Sequence, residues 1–192
     1  MNAEKERKTR KFEILLGAIL ILVVLGGFAL STYGIKRSYS AKAVPLSFRY
    51  PVLWYVEEGA DKNATYINAC DHDEPATGSK CLQGVGIAVF PSLSAWLAYS
   101  SVPAVASEGT AAVTFHSVDE YISHNRFEDF GTRNLAGYQA RVYDSSTEEG
   151  NGHILEYDVT VDGRFYEISA PYASSPDTLT HGQQVVIDSL QL

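Results

Sequence analysis

Leu155-Glu156-Tyr157-Asp158-Val159-Thr160-Val161-Asp162-Gly163-Arg164-Phe165-Tyr166-Glu167-Ile168-Ser169-Ala170 reads as two alternating runs about a two-residue turn. Leu155, Tyr157, Val159 and Val161 share one face of a strand, because successive strand side chains point to opposite sides. Asp162-Gly163 is the dipeptide a tight hairpin wants at its two central positions. The turn then sets Val161 opposite Arg164, Val159 opposite Tyr166, Tyr157 opposite Ile168 and Leu155 opposite Ala170. The last three of those pairs are apolar, so one face is core.

Upstream, Tyr138, Ala140 and Val142 alternate with Gln139, Arg141 and Tyr143, which predicts a third strand on the same sheet. A pairing of Val142 with Leu155 would carry the apolar face across it and set Arg141 beside Glu156. It would also put Gln139 beside Asp158, which the hairpin opposes to Glu167. Two carboxylates facing each other are unfavourable unless the face is solvated, covered by a helix or occupied by a cation. Asp158 and Glu167 are therefore the candidate ligands for a hard cation such as calcium, although two carboxylates fall short of its usual ligand count.

The remaining elements follow the same patterning. Strands are expected at Leu46–Tyr50, where Pro51 stops the run, around Trp54–Glu57, at Ala64–Cys70 and at Val85–Phe90. Leu93, Trp96 and Leu97 at helical spacing behind Pro91-Ser92 predict a short helix ended by Pro103, and residues 104–112 a loop. Ser117 and Glu120 form a capping box that starts a helix running to about Phe127. Ser175-Pro176-Asp177 opens a C-terminal helix carrying Leu179, Val186 and Leu190. The fold class is α/β of the α+β type.

The N-terminus is different material. Residues 14–35 contain no charge, and ILLGAILILVVLGGFAL over 14–30 is apolar on every face. Twelve Leu, Ile, Val and Phe residues there make insertion into a bilayer favourable by roughly 4 to 7 kcal/mol. A cleaved signal peptide would have a shorter apolar core and a nearby small-x-small site, whereas Ala41-Lys42-Ala43 lies far downstream. A pilin-like subunit would carry Gly before its Phe, where Lys11 precedes Phe12. The expected organisation is a basic cytoplasmic tail over 1–13, a transmembrane helix over 14–35, a tether over 36–43 and an extracytoplasmic domain over 44–192.

Charge supports that orientation. Lys5, Arg7, Lys8, Arg10 and Lys11 precede the span and Lys36, Arg37 and Lys42 follow it, a bias that puts the N-terminus inside. Residues 1–37 carry seven basic and three acidic side chains, residues 38–192 eight and twenty. An acidic domain repels nucleic acid and anionic lipid. The expected attachments are the membrane, through the helix, and another envelope protein. The expected location is the cell membrane.

Cys70 and Cys81 are the two cysteines, bracketing a turn-rich segment that suits a loop-closing disulfide in an oxidising compartment. Free thiols are the second reading and a metal pair the third, since ten intervening residues match no zinc spacing. Asn63-Ala64-Thr65 is a glycosylation sequon.

Phe48-Arg49-Tyr50-Pro51-Val52-Leu53-Trp54 has the form F-x-Y-P-x-x-W and resembles the opening of PsbP-like domains. Gly137-Tyr138-Gln139-Ala140, Tyr166-Glu167-Ile168-Ser169 and the closing Asp188-Ser189-Leu190 fit the later landmarks. The resemblance covers most of residues 44–192 and implies an antiparallel sheet flanked by helices on both faces. It implies binding rather than catalysis, although fold alone does not transfer function.

No G-x-S-x-G, H-E-x-x-H or Gly-rich phosphate loop occurs, and the five histidines form no i, i+4 pair. No catalytic residue, cofactor or cofactor-binding residue is assigned. Trp54, Tyr55, Tyr66, Trp96 and Tyr99 are candidates for an exposed binding platform, against the commoner role of aromatic residues as core or half-exposed sheet face. The reading is a non-enzymatic, membrane-anchored binding or assembly module, with a small envelope hydrolase or sugar-binding domain as alternative.

Overall fold

A computed structural model describes residues 15–26, 34–71, 84–101, 113–146 and 152–192. The chain divides into two compact units, Met1–Lys36 and Arg37–Leu192.

In the first unit, residues 15–26 are helical (α1). Among the described residues no helix is long and apolar enough to cross a membrane. The expected span over 14–35 extends on both sides beyond the described part of α1, and the expected tail over 1–13 lies wholly outside the described residues.

The second unit is built on a seven-stranded antiparallel sheet in the order β3-β4-β5-β9-β8-β7-β6. The strands are β3 (Tyr55–Ala60), β4 (Thr65–Cys70), β5 (Val85–Phe90), β6 (Glu128–Leu135), β7 (Tyr138–Asp144), β8 (His153–Val161) and β9 (Arg164–Tyr172). A two-stranded sheet of β1 (Lys36–Ser40) and β2 (Ser47–Pro51) accompanies it. The helices are α2 (Leu93–Ser100), α3 (Val118–Asn125) and α4 (His181–Asp188). The expected antiparallel α+β architecture with helices on both faces is present.

The β8–β9 hairpin has the expected register throughout, from Val161 opposite Arg164 to Leu155 opposite Ala170. Asp162 and Gly163 both take positive φ, 48° and 81°, as a type I′ turn requires. The β7–β8 register departs from expectation by two residues. Val142 stands opposite Tyr157, not Leu155, and Arg141 opposite Asp158, not Glu156. A slip of two keeps every side chain on its face, so the apolar pattern fits both registers equally.

Residues expected as a tether form β1 instead. Tyr39 packs on Phe48 with ring centroids 5.1 Å apart, and its hydroxyl donates to Glu58 Oε2 at 2.5 Å. β6 was not expected from the sequence at all. The Ser175-Pro176-Asp177 signal opens only a 3-10 turn at Pro176–Thr178. α4 begins later, where Thr180 and Gln183 form their own capping box.

The two sheet faces carry different cores. On one, Ile67, Val85, Ile87, Val142, Leu155 and Ile168 pack with Phe48 of β2 and Val186 of α4. On the other, Phe90 and Phe165 of the sheet pack with Trp96 and Leu97 of α2 and with Phe115, ahead of α3. The second cluster is much smaller, and the sheet beneath α2 and α3 is part apolar and part acidic.

Candidate functional site

The acidic part arises directly from the hairpin. Glu156 and Asp158 are two apart on β8 and share a face, and β9 places Glu167 opposite Asp158 and Ser169 opposite Glu156. From the other side β7 places Tyr143 opposite Glu156 and Arg141 opposite Asp158. Glu156 and Asp158 are 7% and 4% exposed, and Glu167 is partly covered.

Among the described residues each carboxyl has one neutral donor. Tyr143 donates its hydroxyl to Asp158 Oδ2 at 2.9 Å, Ser145 donates to Glu156 Oε1 at 2.9 Å, and Trp96 Nε1 donates to Glu167 Oε2 at 2.6 Å. Among the described residues, Glu156 Oε2 and Asp158 Oδ1 are buried without a hydrogen-bond partner. The Tyr121 ring of α3 leans on Trp96 and Tyr143, at centroid distances of 5.0 and 6.4 Å, and closes the site from above.

Arg141 is the cation nearest in register, but it is engaged elsewhere. Its Nε donates to Asp119 Oδ1 at 2.6 Å and its terminal nitrogens to both oxygens of Asp129, at 3.0 and 2.8 Å. It ties α3 and β6 to β7, and among the described residues no other cation is paired with the buried row.

Burial is the leading cause that raises all three acids above the ordinary carboxylate range. The charge of Glu167 adds to the shift of Asp158, and Glu167 and Asp158 both add to that of Glu156. The donors Ser145, Tyr143 and Trp96 oppose it. Tyr121 and Tyr143 are pushed far up, by burial first and then by these carboxylates.

Asp158 and Glu167 thus face each other as the sequence predicted, beneath helices. Calcium takes six to eight oxygen ligands. Among the described residues no group of three or more His, Cys, Asp or Glu side chains is placed to hold a metal ion.

A second polar group lies at the end of β7 on the opposite face. Asp144 Oδ2 accepts from His153 Nδ1 at 2.6 Å and from the Tyr172 hydroxyl at 2.8 Å. Its Oδ1 accepts the backbone N–H groups of Ser146 and Ile154, at 2.9 and 3.2 Å. Burial pushes the Asp144 carboxyl up, but the bonds from His153, Ser146 and Tyr172 outweigh it and hold the group at about 2. The His153 ring stacks on Tyr172 at 4.9 Å and stays half exposed. With Nδ1–H given to the carboxylate, a neutral imidazole turns a basic Nε2 away from Asp144.

This pair was missed from the sequence, where the histidines read as scattered. Asp144 and His153 are nine apart, and only the pairing of β7 with β8 and of β8 with β9 brings them together with Tyr172.

The aromatic candidates do not form one platform. Trp96 is a buried residue of α2, Tyr66 packs against the same small cluster, and Tyr99 leans on Phe90 at 5.5 Å. Trp54 packs instead on the opposite core, beside α4. Cys70 is buried at the end of β4, and among the described residues no cysteine is free. Its expected partner Cys81 lies outside the described residues. The sequon starts at the β3–β4 turn, where Asp61 Oδ1 accepts the N–H groups of Asn63 and Ala64 at 2.6 and 2.9 Å.

No family model matches the chain, and no curated protein matches it. Among solved structures, the chain is similar to the solution structure of cyanobacterial PsbP (CyanoP) from Synechocystis sp. PCC 6803. The match has a TM-score of 0.46 and 15% identity over 83% of this chain and 94% of that one.

Proposed function

We propose that this chain is a membrane-anchored, non-catalytic binding or assembly module whose acidic domain stands outside the cytoplasm. The observation that carries the anchor is α1. From Leu15 to Leu25 every Leu, Ile and Val is 50 to 69% exposed, all round the helix. Such a surface is a solute for hydrocarbon, not water. The uncharged run continues to residue 35, long enough for the roughly 30 Å core of a bilayer. Basic residues before the span keep the N-terminus inside.

The binding role is supported by where the reactive groups lie. The buried carboxyls face α2 and α3 and each meets a structural donor, so they organise the domain instead of meeting a substrate. The occupant proposed for the domain surface is another envelope protein, with a basic face to match the acidic one. Protease added to spheroplasts should digest residues beyond the span while the tail survives. In-cell crosslinking should join the domain to a discrete envelope protein. A protected domain, or a mature N-terminus beyond residue 35, would overturn the topology, and a domain that crosslinks to nothing would overturn the module.

The Asp144–His153 pair favours one second reading, a small envelope hydrolase in which His153 Nε2 is general base and Asp144 orients it. A sugar-binding domain remains the non-catalytic variant of that alternative. Ester or glycoside hydrolysis by the purified protein, abolished in His153→Ala, would move the assignment to the hydrolase. A protein inert towards both substrate classes would remove it.

A further inference from the structure

We propose that Glu156, Asp158 and Glu167 form a proton-operated latch that holds the α2–α3 layer on the sheet and releases it when the row ionises.

Strand geometry forces the three carboxyls together. Directly opposed side chains across an antiparallel pair are about 5 Å apart at Cβ, and i, i+2 neighbours about 7 Å. Three anions at these spacings need cations or water. Among the described residues, the hydrogen-bonding groups that face them are neutral: Tyr143 and Ser145 from β7 and its end, Ser169 from β9, Trp96 from α2 and Tyr121 from α3. Asp144, on the other face, adds further negative charge felt by Glu156. The cation in register with Asp158 is held by Asp119 and Asp129.

Six carboxyl oxygens thus share three hydrogen-bond donors among the described residues, and two of the oxygens are buried without one. A proton on one carboxyl supplies the O–H that a neighbour's orphan oxygen lacks. When the protons leave, the oxygens must be hydrated, and water reaches them by displacing what lies above. The row is covered by Trp96 and Tyr121, which also join α2 to α3 through their ring contact.

The layer above is the part able to move. It rests on the smaller apolar cluster around Phe90, Phe165 and Trp96, whereas the opposite face keeps the large core with α4. Opening of α2 and α3 leaves that core intact. The sign follows from the raised acids. Their stabilising effect is complete below the unfolded carboxyl range near 4 and is lost as pH rises through the folded values.

The test uses the full-length chain in detergent micelles. Side-chain carboxyl carbons are followed by NMR, and amide exchange of Leu93–Ser100 and Val118–Asn125 is followed beside that of the β8–β9 hairpin, from about pH 4.5 to 8.5. The expected result is titration of the three carboxyls above the ordinary range. Over the same interval helix protection factors should fall about tenfold per pH unit for each proton released, with the hairpin unchanged. Glu156→Gln, Asp158→Asn and Glu167→Gln together should hold the helices protected throughout. If the triple variant does not fold, Glu167→Gln alone should move the loss of protection to higher pH. Carboxyls ionised at the lowest pH, helix protection that stays flat through their titration, helices and hairpin losing protection together, or a transition unmoved in Glu167→Gln would each overturn the latch.

Discussion

The indole of Trp54 occupies the space that a side chain at position 182 would need. A Cβ on Gly182 would collide with Cζ2 and lie 2.8 Å from Cε2. The last residue of the F-x-Y-P-x-x-W stretch therefore rests on the first turn of α4, and the glycine is what allows it. In Gly182→Ala the helix gains about 1 kcal/mol of propensity, but overpacking against a rigid ring costs about 1 to 3 kcal/mol. The net expectation is a lower melting temperature and a shifted Trp54 emission. In a Trp54→Ala background the same change should become neutral or stabilising, because only the propensity remains.

Gln183 is the buried polar residue of α4, with no exposed surface. Its Nε2 donates to the carbonyls of Gly84 and Pro171 at 3.1 and 2.7 Å, and its Oε1 accepts from Thr180 N–H at 2.7 Å. Gln183→Leu keeps the bulk and strands three backbone groups, at about 1 to 3 kcal/mol for an unsatisfied buried group. Urea titration should show a lower midpoint with an unchanged slope. A midpoint equal to that of the parent would mean that water replaces the amide.

Asp144 titrates at about 2 in the fold against 3.8 as its ordinary value. Its contribution is present above the unfolded value and is lost as pH falls through the folded one, and it amounts to roughly 2 kcal/mol. The row under α2 and α3 works in the opposite sense, so stability should peak near the ordinary carboxyl range and fall on both sides. Asp144→Asn should flatten only the acid limb. Thermal melts from about pH 2 to 8 measure this, and an acid limb that persists in the variant would remove Asp144 as its cause.

Cys70 and Cys81 are expected to be bonded in the mature protein. Closing a loop of this length stabilises by about 2 to 3 kcal/mol, less any strain. Replacing both with serine should lower the melting temperature without abolishing the fold. Two reactive thiols in denatured, unreduced protein would contradict the bond.

β6 shows why part of the sheet was illegible. Its sequence, Glu128-Asp-Phe-Gly-Thr-Arg-Asn-Leu135, alternates poorly, is shifted by a bulge between Asp129 and Thr132, and has Leu135 as its buried end. An edge strand has one neighbour, and charge there prevents aggregation, so neither patterning nor apolar content betrays it. Its turn onto β7 uses Ala136 at φ 54° before Gly137 at 92°, a left-handed alanine that no turn signal announces.

The candidate sites divide in the same way. The Asp158–Glu167 pair was legible because a two-residue turn counts outward without ambiguity. Glu156 was placed beside Arg141 under a register that the apolar pattern could not distinguish from the real one. The Asp144–His153 pair was invisible, since its partners belong to different strands.

Local rules determined what local rules can. Alternation, the Asp162-Gly163 turn, the Ser117 cap and the uncharged run over 14–35 each involve residues a few positions apart, where sterics and hydrogen bonding act without the rest of the chain. The tertiary structure decided the β7–β8 register and the enclosure of three carboxyls beneath α2 and α3. It also decided the engagement of Arg141 by Asp119 and Asp129 and the seat of Trp54 on Gly182. Those outcomes turn on which surfaces lose their water to which neighbours, and desolvation is set by groups distant in the chain.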